Sequence, residues 1–304
     1  MTYFVVTVDI EESFEWGVDF RRVYNENDVS NVKELLKLQS LCDKYGVKPT
    51  YLVDYPVLAN ETSLEILKKL KCMNCELGTH LHTWCNPPFE EEISVKNTFA
   101  DNLPIKLVEK KLDNLTKKFR QTLNLTPKTF KSGRYGINEQ IFDLLIKQGY
   151  NVDTSIVPFK SQASSGGSDK VHINFYPYHI KSKNKKLLEI PATVGFNFNN
   201  FNFCNSNNLL INLLKRINIL KRIKLSPEDA SIKDMKKICD IFINKGVPVL
   251  HLELHSSNLV IGKTSYIKNK KDLNNFYKNT EIIFDYVMNK KECIPVYCSE
   301  FKLE

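Results

Sequence analysis

Two short segments of this sequence carry acidic or histidine residues in pairs that lie two positions apart. The first apolar run ends on Asp9 and Glu11, and a later run ends on His80 and His82. In an extended strand, residues i and i+2 project to the same face, so the members of each pair point the same way. If the two strands are neighbours in a parallel sheet, four groups that can bind a divalent metal and activate water converge. The spacing therefore indicates metal-dependent hydrolysis.

A third strand-like run, 249–255, brings one more histidine, His255, to the end of a strand. Two histidines and one carboxylate are a common ligand set for catalytic zinc and for non-haem iron. A carboxylate outside that set can take a proton from the bound water, and His255 can protonate the leaving group. The spacing alone leaves Asp9, Glu11 and Glu12 all open as the acidic ligand.

Segments typical of strands and of helices alternate along the chain, which predicts a parallel sheet. After a first strand near Tyr3, strands are predicted at Val47–Val53, Glu76–His80, Thr129–Lys131, Val152–Ser155, up to Leu188–Pro191, at Val247–Leu254 and at Ile294–Cys298. Helices are predicted at Val32–Tyr45, Leu64–Cys72, Ile105–Thr122, Glu139–Gln148 with Asn138 as N-cap, from Ser226 onward, and at Asp272–Val287. The length favours one α/β barrel domain over residues 1–304, with catalytic groups at the C-terminal ends of the strands;. All three acid and histidine clusters fall there.

The composition is that of a folded chain, since 42% of the residues are hydrophobic and long low-complexity tracts are absent;. No apolar run approaches the roughly 20 residues of a membrane span, and no signal peptide precedes the first strand, which predicts a cytoplasmic protein. In that compartment the eight cysteines are expected to be reduced;. The sequence has no phosphate-binding glycine motif, and its basic clusters lack a recognisable nucleic-acid-binding fold.

The formal net charge is +8 at neutral pH. Such an excess suits an anionic substrate or a membrane surface, whereas solvated surface lysines are the more ordinary explanation. One basic segment, Leu209–Ile223, is also amphipathic. It has two interpretations, contact with an anionic bilayer or packing against the barrel, and the second is favoured.

Six segments, taken in order, carry a recognisable pattern. They are Thr7–Glu11, Gly78–Phe89, Ser132–Gly136, Gly149–Ser155, Leu188–Pro191 and Leu252–Ser256. Together they resemble the polysaccharide deacetylases with NodB homology (carbohydrate esterase family 4), and most closely the WalW-type branch. The resemblance runs from Thr7 to about Phe301 and implies an irregular (β/α) barrel of the NodB-homology type, usually with seven strands.

The resemblance also implies a role for each matching residue. Asp9 is similar to the family's general base, and His255 to its general acid. Glu11 takes the place of the acidic metal ligand and His80 that of the first metal-binding histidine. The family's second histidine lies four positions after the first, where this chain has Trp84, so His82 is assigned as the third ligand from the strand-face argument. Arg134 resembles the arginine that orients the base. The implied cofactor is a divalent metal, with Zn²⁺ favoured.

The remaining expectations concern the substrate. Trp16 and Trp84 have two interpretations, stacking on sugar rings or covering the core at the barrel rim, and the first places them with Tyr135 and Asp153 in the predicted substrate-binding set. The predicted reaction is removal of an N-acetyl group from an amino sugar during surface-polysaccharide biosynthesis, on a nucleotide-sugar, a lipid-linked glycan or a nascent chain. Two alternatives stay open, namely another C–N hydrolase on the same barrel (a deformylase or cyclic-amide hydrolase) and a catalytically silent glycan-binding relative. The sequence does not indicate an oligomeric state.

Overall fold

Strands and helices alternate in the computed structural model, which describes residues 1–13, 27–182, 184–206 and 208–303. The strands are β1 Tyr3–Ile10, β2 Pro49–Val53, β3 Glu76–Leu81, β4 Thr129–Ser132, β5 Val152–Asp153, β6 Tyr178–Ser182, β7 Lys185–Glu189, β8 Val194–Phe196, β9 Arg222–Lys224, β10 Val249–His255 and β11 Ile294–Pro295. The helices are α1 Leu35–Tyr45, α2 Tyr55–Ala59, α3 Glu61–Lys71, α4 Ile105–Leu123, α5 Glu139–Gln148, α6 Phe201–Asn205, α7 Leu209–Arg216, α8 Ile232–Asn244 and α9 Lys270–Asp285. Trp16 lies outside the described residues.

The main sheet is built from parallel strands, as the alternation of elements predicts. In the described part of the chain its order is β10-β1-β2-β3-β4-β5-β7, with β6 antiparallel at the β7 edge and β11 pairing with β1. Strand β1 is buried on both faces, as expected for a sheet covered by helices;. The prediction of an α/β barrel-like fold is confirmed.

The gap between β7 and β10 is bridged by residues outside the main sheet. The backbone N–H of Thr193 donates to the carbonyl of His251 over 3.2 Å, and Thr193 Oγ1 accepts from the N–H of His251 over 2.8 Å. Next to it, the N–H of Glu253 donates to the carbonyl of Leu225 over 3.3 Å. The sheet therefore curls into a barrel, but among the residues that the structure describes no continuous ladder of hydrogen bonds joins β7 to β10. This interruption makes the barrel irregular.

Strand register sets the position of the acidic and histidine residues. Asp9 on β1 lies opposite His255 on β10, and His80 on β3 lies opposite Lys131 on β4. Because all these strands are parallel, their C-terminal ends meet at one rim of the barrel. The side chains predicted to do chemistry are thereby brought together from strands far apart in sequence.

Two segments differ from the sequence-based expectation by more than a few residues at an end. Helix α8 begins at Ile232 with Ser231 as its N-cap, because the preceding residues from Ser226 form a turn. The basic segment 209–223 is not one helix, since α7 ends at Arg216 and the chain turns at Asn218, whose φ is 59°. None of the helices in the described ranges is long and apolar enough to cross a membrane.

Candidate active site

A carboxylate and two imidazoles converge at the rim of the barrel. The Oε2 atom of Glu11, just after β1, lies 3.2 Å from Nε2 of His82 and 3.7 Å from Nε2 of His80. All three side chains are buried. Gly133 makes room for this arrangement, because a Cβ atom there would lie 2.6 Å from the ring of His82. We call Glu11, His80 and His82 the triad.

The hydrogen bonds around the two histidines fit a metal site. Nδ1 of His80 lies 3.2 Å from the carbonyl of Lys131, and Nδ1 of His82 lies 3.0 Å from a carboxylate oxygen of Glu12. Since a carbonyl and a carboxylate accept, we assign the proton of each imidazole to Nδ1, which leaves the lone pair of each Nε2 free to bind a cation beside Glu11;. One ligand atom from each of the three triad residues lies within 4.8 Å of the other two, an arrangement that can hold a divalent cation;.

Glu12 does not face the Nε2 atoms of the triad. It contacts Nδ1 of His82, on the other side of that imidazole. Its Oε1 accepts a hydrogen bond from Nε1 of Trp84 over 2.9 Å, and its backbone N–H donates to Asp54 over 2.9 Å. Burial and the negative charge of Glu11 raise the pKa of Glu12 to about 7. Of the two neighbouring glutamates, Glu11 therefore has the geometry of a ligand and Glu12 that of a group orienting His82.

Trp84 is not at the pocket surface, where a sugar-stacking residue would lie. Only 4% of it is exposed, and its ring stacks on His82 with centroids 4.1 Å apart. The strand end turns inward at this point, so the indole packs against the triad histidine and bonds to Glu12. The geometry gives Trp84 a positioning function in place of the predicted contact with a sugar.

Asp9 is held by a lysine. Its Oδ2 lies 2.8 Å from Nζ of Lys131, which also contacts Glu253 over 2.7 Å. Burial alone would raise the pKa of Asp9, but the ammonium group of Lys131 and two neighbouring histidines outweigh it and lower the pKa. The second oxygen, Oδ1, is buried and has no hydrogen-bond partner among the described residues. Asp9 is thus an ionised carboxylate with one oxygen ready to accept a proton.

Arg134, predicted to orient Asp9, points elsewhere. The backbone of Arg134 is left-handed, with φ of 53°. Its guanidinium donates to Thr98 Oγ1 over 2.6 Å and to the carbonyl of Ser165 over 3.3 Å. Lys131, three positions earlier on β4, provides the cation that contacts Asp9. The predicted role therefore falls to a different residue of the same segment, because β4 points the lysine into the barrel before the chain turns.

Two further predicted substrate contacts have different surroundings. Tyr135 lines the pocket, and its hydroxyl accepts a hydrogen bond from Lys224 over 2.9 Å. Asp153 is fully buried on β5 and does not line the pocket. Its carboxylate accepts from the hydroxyl of Ser155 over 2.7 Å and from its backbone N–H over 3.0 Å. Asp153 organises the barrel interior, whereas Tyr135 faces the space where a ligand would bind.

His255 is paired with a glutamate on the side away from Asp9. Its Nδ1 lies 2.9 Å from Oε2 of Glu228, and its Nε2 lies 3.5 Å from Oδ2 of Asp9. Burial opposes the charged form, but Glu228 and the nearby acids outweigh it and raise the pKa of His255 to about 9. Glu228 also accepts from the backbone N–H of His255, so it fixes both the backbone and the imidazole of that residue.

A pocket of about 450 Å³ opens onto all of these groups. Its lining includes the catalytic candidates Asp9, Glu11, His80, His82 and His255, and also Lys160, Arg222, Asp229 and Tyr266. That volume is in the range of pockets that take small ligands, roughly 300–1,000 Å³. A pocket containing a cation site, an ionised carboxylate and a protonated imidazole can hydrolyse a polarised carbonyl compound.

Sequence reasoning missed three residues of this site, namely Lys131, Lys224 and Glu228. Lys131 and Lys224 both contact Glu253, over 2.7 and 2.6 Å, in the barrel interior. The signal was a charged residue, Glu253, within an apolar strand, because a buried charge needs a buried partner of opposite sign. Glu228 had no such signal, since it lies in a turn whose position depends on the fold.

The fold has counterparts among solved structures, although the sequence matches no protein-family model and no curated protein. A candidate polysaccharide deacetylase from Mycobacterium smegmatis is similar with a TM-score of 0.53 at 12% identity, over 99% of this chain and 96% of that one. The fold is that of the polysaccharide deacetylases. A candidate glycoside hydrolase/deacetylase from Parabacteroides distasonis is also similar, with a TM-score of 0.63 at 9% identity over 99% of this chain and 70% of that one. At these sequence identities, structural similarity establishes the fold alone. Function is therefore argued from the residues of the site.

Proposed function

We propose that this protein is a metal-dependent N-deacetylase of an amino sugar. The observation that carries the proposal is the convergence, in one pocket, of the triad with Asp9 and His255. His255 lies within 3.5 Å of Asp9, so a base and an acid act on neighbouring atoms of one substrate. The deacetylase fold of the structural neighbours supports the same reaction.

The ligand set of two imidazoles and one carboxylate favours Zn²⁺, which when bound polarises an acyl oxygen and makes a coordinated water more acidic. Asp9 Oδ1 is placed to take a proton from the attacking water, and Lys131 keeps the carboxylate ionised and oriented. The C–N bond of the acetamide then breaks while a C–O bond forms. His255, protonated at neutral pH, gives its proton to the departing amine, and Glu228 holds the imidazole for that transfer.

The substrate class and the biological process that we propose follow from charge and sequence together. The net charge of +8 and the basic pocket wall suit an N-acetylated sugar in an anionic context, such as a nucleotide-sugar or a lipid-linked glycan;. We place this reaction in surface-polysaccharide biosynthesis, as the WalW-type resemblance implies. Neutral chitin oligomers are expected to be poorer substrates.

Product analysis tests the reaction. Zinc-loaded protein is incubated with UDP-N-acetylglucosamine, N-acetylglucosamine 1-phosphate and chitin oligomers, and acetate, formate, ammonia and new primary amine are quantified. We expect acetate and amine in equal amounts, released fastest from the phosphorylated sugars. Formate or ammonia would favour another C–N hydrolase, and no product with metal bound would favour a glycan-binding protein without activity.

A further inference from the structure

One wall of the pocket carries cations that the catalytic network does not neutralise. In the described part of the chain, neither Lys160 nor Arg222 has a carboxylate oxygen within 4.0 Å, although both line the pocket. By contrast, Lys131 and Lys224 on the same side share the buried carboxylate of Glu253. The pocket therefore holds positive charge that no described acid pairs with.

The geometry around Tyr135 shows how closely these charges are packed. The ammonium groups of Lys131, Lys224 and Lys160 lie 5.3, 5.4 and 6.0 Å from the centroid of its ring. Burial and the neighbouring charges of Arg222 and Lys224 lower the pKa of Lys160. A bound anion would relieve this repulsion, since charges of opposite sign favour the protonated form.

The acid whose charge acts on both Lys160 and Arg222 is Asp229, and it is a weak counter-charge. Asp229 lines the same pocket, and burial raises its pKa above the ordinary value. Its negative charge favours the protonated forms of Lys160 and Arg222. Asp229 nevertheless makes no ion pair within 4.0 Å among the described residues. Asp229 thus leaves the two cations available to a ligand.

We propose that Lys160 and Arg222 form an anion subsite that binds a phosphate or carboxylate group carried by the N-acetylated sugar. This rests on the proposed function, because the subsite shares its pocket with Asp9 and His255. A pocket of about 450 Å³ accommodates a sugar with one such substituent;. An arginine and a lysine are suited to this group, the guanidinium through paired hydrogen bonds and the ammonium as a point charge.

A binding experiment separates this subsite from catalysis. Glucose 1-phosphate has no acetyl group, so its affinity, measured by calorimetry, is independent of turnover. Lys160→Met and Arg222→Met are each expected to weaken binding about 10-fold, the loss of one charge-assisted hydrogen bond. Lys221→Met is the matched control, because Lys221 is an exposed neighbour that does not line the pocket. Equal affinity in all four proteins overturns the subsite.

A second measurement identifies the anion and separates the two proposals. Values of kcat/KM are compared for N-acetylglucosamine 1-phosphate, an N-acetylglucosaminyl-glucuronate disaccharide and methyl N-acetylglucosaminide. The wild type is expected to prefer one anionic substrate over the neutral one, and both variants to reduce that preference about 10-fold. Acetate released equally from all three, with the variants unchanged, contradicts the subsite alone. Binding of glucose 1-phosphate without acetate from any substrate contradicts the deacetylase function alone.

A separate surface carries large apolar side chains that face solvent. Its members, 48% to 88% exposed, are Phe198, Phe203, Leu209, Leu210, Leu213, Ile217 and Ile219. We call them the apolar face. In the segment 209–223, Ile211, Leu220 and Ile223 are buried and Leu214 packs against the core, as the favoured interpretation of barrel packing expects, whereas the members of the apolar face lie outside that contact. Asn197 joins the two parts of the face, since its amide donates to the carbonyl of Ile219 over 2.8 Å.

The stretch of chain that carries the apolar face has basic residues and no acidic ones. No acidic residue occurs between Glu189 and Glu228, whereas five basic residues lie in 215–224. Exposed apolar side chains flanked by lysine and arginine are typical of a helix that lies in the interface of an anionic bilayer. A protein partner would need a complementary acidic surface, but a bilayer supplies both hydrocarbon and negative charge.

We infer that the apolar face docks on an anionic membrane surface. The test is cosedimentation with vesicles of phosphatidylcholine and phosphatidylglycerol, and with phosphatidylcholine alone. We expect binding to the anionic vesicles that weakens as salt rises, because attraction is screened over roughly 8 Å at physiological ionic strength. Binding to neither vesicle at low salt overturns the inference.

Two variants separate the apolar and the electrostatic contributions. Leu209→Ser with Leu213→Ser is expected to abolish vesicle binding, and since both residues are exposed the fold should be unaffected. Arg216→Ser with Lys221→Ser should lower the partition coefficient about 30-fold, since each of the two charges contributes about 1 kcal/mol. The matched control is Lys68→Ser with Lys69→Ser, two exposed lysines on α3. An equal loss in that control would indicate general charge attraction and contradict docking through this face.

Discussion

Replacing Asp9 by asparagine is expected to lower the turnover number by about 10²–10⁴-fold, the usual contribution of a general base. The amide has the shape of the carboxylate but cannot accept the proton of the attacking water. The fold should survive, because Lys131 retains Glu253 as a partner 2.7 Å away. Acetate release from N-acetylglucosamine 1-phosphate measures the loss, and thermal unfolding with metal content shows whether the protein is otherwise intact.

Replacing the general acid, His255, should lower the turnover number by a similar factor. His255→Ala is expected to lose about 10²–10⁴-fold in turnover, because no group then protonates the amine. His172→Ala is the matched control, a histidine that does not line the active-site pocket. Near wild-type turnover in either the Asp9 or the His255 variant, on a confirmed substrate, would show that its assigned role is wrong.

The second large effect concerns the metal. Wild-type protein is expected to contain about one equivalent of zinc, and His80→Ala almost none, because removing one of three protein ligands leaves an incomplete site. Glu11→Gln should behave like His80→Ala. Glu12→Gln should retain the site with affinity lowered about 10- to 100-fold, the usual effect of changing a group that orients a ligand. Elemental analysis and competition with a chelating dye measure both quantities without any assay of activity.

The two glutamates therefore form a matched pair for this experiment. They are adjacent in sequence and both buried, but only Glu11 faces the Nε2 atoms of the triad. Equal zinc content in the wild type and in His80→Ala would remove His80 from the ligand set. A greater loss in Glu12→Gln than in Glu11→Gln would exchange the roles that we assign to the two carboxylates.

Periodicity and spacing were sufficient to predict the elements that carry the site. A buried parallel strand is a nearly continuous apolar run, so β1 was visible, and β3 and β10 were marked by the histidine and acidic residues near their ends;. The i,i+2 rule predicted that His80 and His82 share a face, and their Nε2 atoms both point to Glu11. Asn138 caps α5 as predicted, its side chain accepting from the N–H of Ile141 over 3.0 Å.

What could not be predicted depends on contacts between strands distant in sequence. Lys131 reaches Asp9 because β4 and β1 face the same barrel interior, a relation that no local pattern contains. Arg134 was the more obvious cation in its motif, but its left-handed backbone directs it to Thr98. Trp84 looked like a surface aromatic, and its position under the triad follows from the inward turn of the chain after β3.

Isotope labelling tests the central claim, metal-assisted hydrolysis of an N-acetyl group at this site, most directly. Zinc-loaded protein is incubated with N-acetylglucosamine 1-phosphate in water enriched in ¹⁸O, and the acetate is examined by mass spectrometry alongside an assay of primary amine. We predict one ¹⁸O atom per acetate, one amine per acetate, and loss of both products in Asp9→Asn. Unlabelled acetate, or labelled acetate formed equally well by Asp9→Asn, would contradict the account.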